Sequence, residues 1–178
     1  MHINNLEFFT YVDSLNQENI IKLDKKVQII LRNYNKDFNN QELKKFVSFC
    51  KKNKRKVYLS NNFKKAKYIG FDGVYVPSFN KLPQDFKQGA KKEFVTLGSA
   101  HNFKDLLIKK KQKIDTIFLS PLFKSKKNKN HLGIIKFSLI SKNTNNKIIA
   151  LGGINENNKN MLSLLNISGY AAISYFNK

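Results

Sequence analysis

The sequence has no tryptophan, one cysteine, three prolines and only two arginines among its 178 residues. A single thiol, Cys50, excludes an internal disulfide and fits a reducing compartment. No apolar stretch approaches the ~20 residues that a bilayer span needs. The opening Met1-His2-Ile3-Asn4-Asn5-Leu6-Glu7 lacks the basic-then-apolar layout of a secretion signal, so a cytoplasmic location is the expectation. No Pro/Gly linker and no low-complexity boundary divides the chain. Ordinary domains hold about 100–200 residues, and residues 1–178 read as one domain.

Acidic residues are also scarce: 12 Asp+Glu face 33 Lys+Arg, a formal charge of +21. Such a balance raises nucleic acid as a partner, because neutralised phosphates release counterions. The make-up of the charge argues against it. Arginine, whose planar fork reads phosphate and bases best, occurs only at Arg32 and Arg55. The lysines are dispersed, and the runs 51–56 and 109–111 follow apolar-periodic segments, where positive charge favours a helix C-terminus. Nucleic acid is not the expected ligand.

What is present is a recurring pattern. Apolar bursts of strand length fall at Glu7–Val12, Val27–Arg32, Lys56–Ser60, Gly73–Val76, Phe94–Leu97, Thr116–Leu119, Lys147–Leu151 and Tyr170–Ile173. Most lack strict alternation, as befits parallel strands covered on both faces. Helical spacing separates several of them, clearest in Gln41–Lys52 with Leu43, Phe46, Val47 and Cys50 on one stripe. Phe63–Ile69 ends at Gly70, His101–Lys111 carries Phe103, Leu106 and Leu107, and Asn155–Asn166 follows a candidate cap at Asn155. Alternation of this kind predicts an α/β fold with right-handed crossovers, either a closed (β/α)₈ barrel or an open doubly wound sheet. A barrel would be compact, with its final helix missing or vestigial, since only 175–178 follow the last strand. An uncovered apolar flank around Tyr175 and Phe176 would then suit a second copy of the chain.

In a barrel the chemistry sits just beyond the strand C-termini. Those positions hold mostly glycines, hydroxyls and amides, with Arg32, His101 and the lysines after strand six as the charged or titratable members. Gly152-Gly153 reads either as an anion cradle built from backbone N–H groups or as a plain tight turn. His101 reads as an acid/base or phosphate donor, or as a helix-start residue. Asp72 lies before strand four, at the opposite end, where a structural hydrogen bond is the expected role.

Five segments in this order carry a resemblance: Leu31-Arg32, Gly70-Phe71-Asp72-Gly73-Val74-Tyr75-Val76, Gly98-Ser99-Ala100-His101, Leu119-Ser120-Pro121-Leu122-Phe123 and Ala150-Leu151-Gly152-Gly153-Ile154-Asn155. From about Val27 to Ile173 the chain resembles the thiamine phosphate synthase/TenI family of small (β/α)₈ barrels. The resemblance implies a TIM barrel acting on small phosphorylated substrates, joining hydroxymethylpyrimidine diphosphate to thiazole phosphate in thiamine biosynthesis. It places Arg32 against the diphosphate, the family lysine near Lys127 (or Asn128), and Ser99 in the Gly-x-Ser-x-His turn, and the catalytic set expected of the chain is Arg32, His101 and Lys127. Gly152, Gly153, Ile173 and Ser174 would cradle the thiazole phosphate. The family's Gln and Lys flanking the arginine fall on Ile30 and Tyr34. Its two Mg²⁺-binding aspartates fall on Asn61 and Asn80, and neutral amides hold magnesium far more weakly than carboxylates, so these two are assigned to substrate binding and no metal ligand is assigned. The TenI proton-transferring histidine falls near Pro121. The alternative reading is accordingly a TenI-like or non-catalytic phosphate-ester-binding paralogue without the metal site.

Overall fold

A computed structural model describes residues 6–35, 37–86, 88–89, 91–125 and 129–172. Its framework is eight parallel strands: β1 (Glu7–Val12), β2 (Val27–Leu31), β3 (Val57–Ser60), β4 (Gly73–Val76), β5 (Val95–Ala100), β6 (Thr116–Leu119), β7 (Lys147–Leu151) and β8 (Gly169–Ala171). They hydrogen-bond in sequence order, and β8 pairs with β1 through Phe8↔Tyr170 to close the barrel. The open-sheet alternative is thereby excluded.

Two cores follow from the strands' period of two. Side chains pointing inward fill the barrel with Phe9, Tyr11, Ile30, Tyr58, Tyr75, Leu97, Phe118 and Ile149. Their rings meet edge-to-face, Phe9–Phe118 at 5.0 Å and Tyr75–Phe118 at 5.5 Å between centroids. Outward residues such as Ile29, Leu31, Val57 and Val74 pack against the surrounding helices.

Those helices are α1 (Gln17–Lys22), α2 (Asn40–Lys52), α3 (Phe63–Ile69), α4 (Phe103–Lys111) and α5 (Gly133–Ser141). The stripe read from the sequence is the buried face of α2, which starts in a reciprocal Asn39–Glu42 capping box. Asn16, Asn62 and Asn102 cap α1, α3 and α4 in the same manner, each accepting a first-turn N–H. Gly70, in the left-handed region, ends α3. Cys50 is a core residue of α2, and burial pushes its thiol up to about 12.

Two sequence expectations are corrected. The helix expected over Asn155–Asn166 is a short 3₁₀ helix, Lys159–Leu164. Asparagine side chains win locally: Asn158 Oδ1 accepts the Asn155 N–H and Asn155 Oδ1 accepts that of Asn157, offering the backbone turns in place of a helix start. Strand β5 also runs three residues further than expected, because its pairing with β6 continues through Ser99↔Phe118 and Ala100↔Leu119. Ser99 therefore lies within a strand.

The N-terminal end of the barrel is latched by carboxylates. Asp72 Oδ2 accepts the Val57 N–H at 2.8 Å, the structural role expected for it, and Asp115 Oδ2 accepts both the N–H and the hydroxyl of Thr96. Buried Arg55 donates to the carbonyls of Leu23 and Asp24, fixing the turn between α1 and β2.

Candidate active site at the C-terminal mouth

Parallel strands bring every strand C-terminus to one face, so Arg32, Asn61, Asn80, His101, Gly152 and Gly153 all gather around a single mouth. Lys127, Ile173 and Ser174 lie outside the described residues.

Gly152 and Gly153 have φ of +96° and +72°, a conformation that side chains rarely adopt. The space is also closed to them. A Cβ on Gly152 would come 2.8 Å from Pro121, and one on Gly153 would come 2.4 Å from the Phe123 carbonyl. The diglycine thus lets the loop after β6 pack directly on the β7 end, where Leu122 N–H and Phe123 N–H donate to Leu151 O and Gly152 O. The N–H groups of Gly152, Gly153 and Ile154 meet no acceptor among the described residues. Three neighbouring unpaired N–H donors beyond a strand end are the components of an anion nest. The turn reading and the cradle reading are compatible.

Arg32 follows β2. Its backbone N–H continues the ladder to Val12 O, and its guanidinium lies over the Tyr11 ring, 4.3 Å from the centroid. No acceptor among the described residues takes its side-chain N–H groups. A half-buried guanidinium held by a ring and otherwise unpaired is suited to a bidentate oxyanion. Tyr11 in turn donates to Tyr75 Oη at 3.0 Å, and burial raises both phenols above their ordinary value, Tyr11 well above it. They remain neutral and form the dry floor of the mouth.

Ser99 belongs to that floor. It is buried, its hydroxyl accepts the Ser78 N–H at 2.9 Å, and it shares a hydrogen bond with Tyr75. His101 lies at the rim, exposed, with Nδ1 2.9 Å from Ser120 O and 3.2 Å from Ser120 Oγ. Donation from Nδ1 to the carbonyl leaves Nε2 as the ring nitrogen without a partner among the described residues. The helix start belongs to its neighbour Asn102, although Asp105 also accepts the His101 N–H.

Asn61, at φ +58°, donates its N–H to Tyr75 O, and its Oδ1 accepts from Asn80 Nδ2 at 2.8 Å. Asn80 Oδ1 accepts the Leu82 N–H. Both amide oxygens that a cation could use are engaged, and neither carries charge. This donor set does not fit magnesium. No trio of His, Cys, Asp or Glu among the described residues makes an alternative metal site.

Two features are not apparent from the sequence. Tyr34 and Phe79, 53% and 61% exposed, meet edge-to-face at 5.6 Å across the rim, and Tyr34 Oη bonds Ser60 Oγ at 2.9 Å. Beneath the loop after β4 lies a fully buried pair, Lys109 and Gln112. Tyr34 was visible as a departure from the family lysine; nothing in the local sequence marks Lys109, one lysine in a run of three.

A closed barrel of eight parallel strands, with every strand C-terminus at one mouth, defines the class: a (β/α)₈ barrel. The model of the TMP-TENI family, described as thiamine monophosphate synthase, matches residues 16–176, and the chain belongs to that family. It is 27% identical over 165 residues to a protein of Aquifex aeolicus (strain VF5) named "Putative thiamine-phosphate synthase 2", covering 89% of this chain and 88% of that one. Among solved structures it is similar to a thiamine phosphate pyrophosphorylase from Pyrococcus furiosus, with a TM-score of 0.75 at 17% identity over 96% of this chain and 87% of the other. The same fold appears in an HpcH/HpaI aldolase from Desulfitobacterium hafniense DCB-2, with a TM-score of 0.65 at 12% identity over 94% and 85%.

Proposed function

We propose that this chain is a thiamine phosphate synthase-like transferase that joins a hydroxymethylpyrimidine diphosphate to a thiazole phosphate at the barrel mouth. The observation that carries the reading is two donor sets on one face that meet no acceptor among the described residues: the Gly152–Ile154 N–H groups and the Arg32 guanidinium. The backbone nest suits the thiazole phosphate, a fixed dianion. Arg32 suits the diphosphate, which takes the electron pair when its bond to the pyrimidine methylene breaks. A donor in place before that charge develops lowers the barrier. His101, whose Nε2 has no partner among the described residues, is the group available to exchange a proton with the departing oxygen. Lys127, between β6 and α5 in the sequence, would add positive charge.

The chemistry of Asn61 and Asn80 favours a metal-independent site, and it also supports a second reading: a phosphate-ester binder without turnover. One assay separates them. Purified protein is supplied with both precursors, with and without Mg²⁺, and thiamine phosphate is measured. The transferase reading predicts product in both conditions. Folded protein that binds thiazole phosphate but makes no product in either condition establishes the binder.

A further inference from the structure

Lys109 is the most deeply buried charged side chain among the described residues, with none of its surface exposed. Its stem runs across β5 at Gly98, where a Cβ would come 3.1 Å from Lys109 Cδ. The ammonium lies beneath the loop that follows β4. It donates to Pro77 O, Asn80 O and Gln112 Oε1, each at 2.9 Å, which uses all three hydrogens. Gln112, also fully buried, gives its amide hydrogens to Asn80 O at 3.1 Å and Leu82 O at 2.8 Å. Three carbonyls of one short loop therefore turn inward onto two side chains of the α4 segment.

The loop is the one that presents Asn80. Asn80 N–H closes a turn on Pro77 O, Leu82 N–H bonds Asn80 Oδ1, and Asn80 Nδ2 reaches Asn61. A methionine would fill the channel over Gly98 equally well, so packing does not call for a charge here. The carbonyls do: turned away from water, they need donors.

We infer that Lys109, with Gln112, is a positioning residue whose ammonium acts as an internal cation, folding the 77–82 loop around itself and so setting Asn80 against Asn61 at the mouth. Its consequence for ligands rests on the transferase or binder reading of that mouth. Its consequence for the loop does not.

The test compares backbone hydrogen exchange in the unliganded wild type and in Lys109→Met. The bonded amides of Ser78, Asn80 and Leu82 should exchange at least tenfold faster in the variant, while those of the barrel strands stay protected. Gln112→Leu, which leaves the ammonium in place, should accelerate Asn80 and Leu82 by a smaller factor. In Lys109→Ala, added propylammonium should restore loop protection and propan-1-ol, of the same size and uncharged, should not. Calorimetry with inorganic pyrophosphate should show about tenfold weaker binding to Lys109→Met. Unchanged loop protection in Lys109→Met, or equal rescue by the alcohol, overturns the inference. A wild type that binds no pyrophosphate overturns the reading of the mouth instead, and the exchange comparison still decides the clamp.

Discussion

At the scale of single residues, the candidate site is marked by donors that meet no acceptor among the described residues. Arg32 is the clearest case: a ring beneath it and no acceptor beside it among the described residues. Charge-assisted hydrogen bonds contribute about 1.5–3 kcal/mol. Arg32→Met should therefore weaken pyrophosphate binding by roughly ten- to a hundredfold, with the melting temperature hardly moved, as read by calorimetry and thermal unfolding. Equal affinity in the variant would remove Arg32 from the site. Gly153 carries the opposite expectation. Its left-handed backbone costs an L-residue about 1–2 kcal/mol, and a Cβ would also press on Phe123 O. Gly153→Ala should lose at least about 2 kcal/mol in urea unfolding, and no loss would mean that the close approach of the β6 loop is not required.

At the scale of elements, legibility in the sequence followed the strength of local signals. The strands were readable because parallel β-structure buried on both faces gives short, dense apolar runs such as Thr116-Ile117-Phe118-Leu119. Helix α2 was readable because one clean stripe coincides with a capping box. Helix α5 was not, since Ile134, Ile135, Leu139 and Ile140 spread around it, Ile135 and Leu139 are exposed, and no side chain caps its start. The mouth was legible in outline: Arg32, Asn61, Asn80, His101 and the diglycine could be placed once the strand ends were known. Ser99 was misplaced by β5's extra length. Lys109 was hidden because its partners lie about thirty residues away, in the loop after β4.

That buried lysine also has a signature at the level of α4 and its neighbours. Burial lowers its pKa to about 8, with Asp105 opposing the shift. Below that pH the folded and unfolded chains both carry the proton, and the buried charge costs stability. Between about 8 and the ordinary lysine value the unfolded chain binds the proton and the folded one does not, so unfolding free energy rises with pH from this group. The difference in stability between wild type and Lys109→Met should therefore shift in favour of wild type from pH 8 to 10. Parallel curves would show that the ammonium is not buried as described.

At the scale of the whole molecule, the fold divides its labour between two ends. Carboxylates of Asp72 and Asp115 accept strand N–H groups at the N-terminal end, and Arg55 fixes a turn there. At the C-terminal end, the Arg32 guanidinium and the Gly152–Ile154 N–H groups meet no acceptor among the described residues. The charge of +21 is spread over the molecule and adds a general attraction for anions that salt screens, whereas the mouth supplies geometry. Distinguishing these two contributions tests the central claim, that a phosphate ester is gripped by the backbone beyond β7 opposite Arg32. The most direct measurement is a titration of ¹⁵N-labelled protein with thiazole phosphate at ~150 mM salt, followed by amide NMR. The account predicts saturable shifts at Gly152, Gly153 and Ile154, with Arg32 responding in the same range. Silence at those three amides, or shifts confined to lysine-rich surface or to the small cavity lined by Asn33, Ser60 and Lys65, would contradict it.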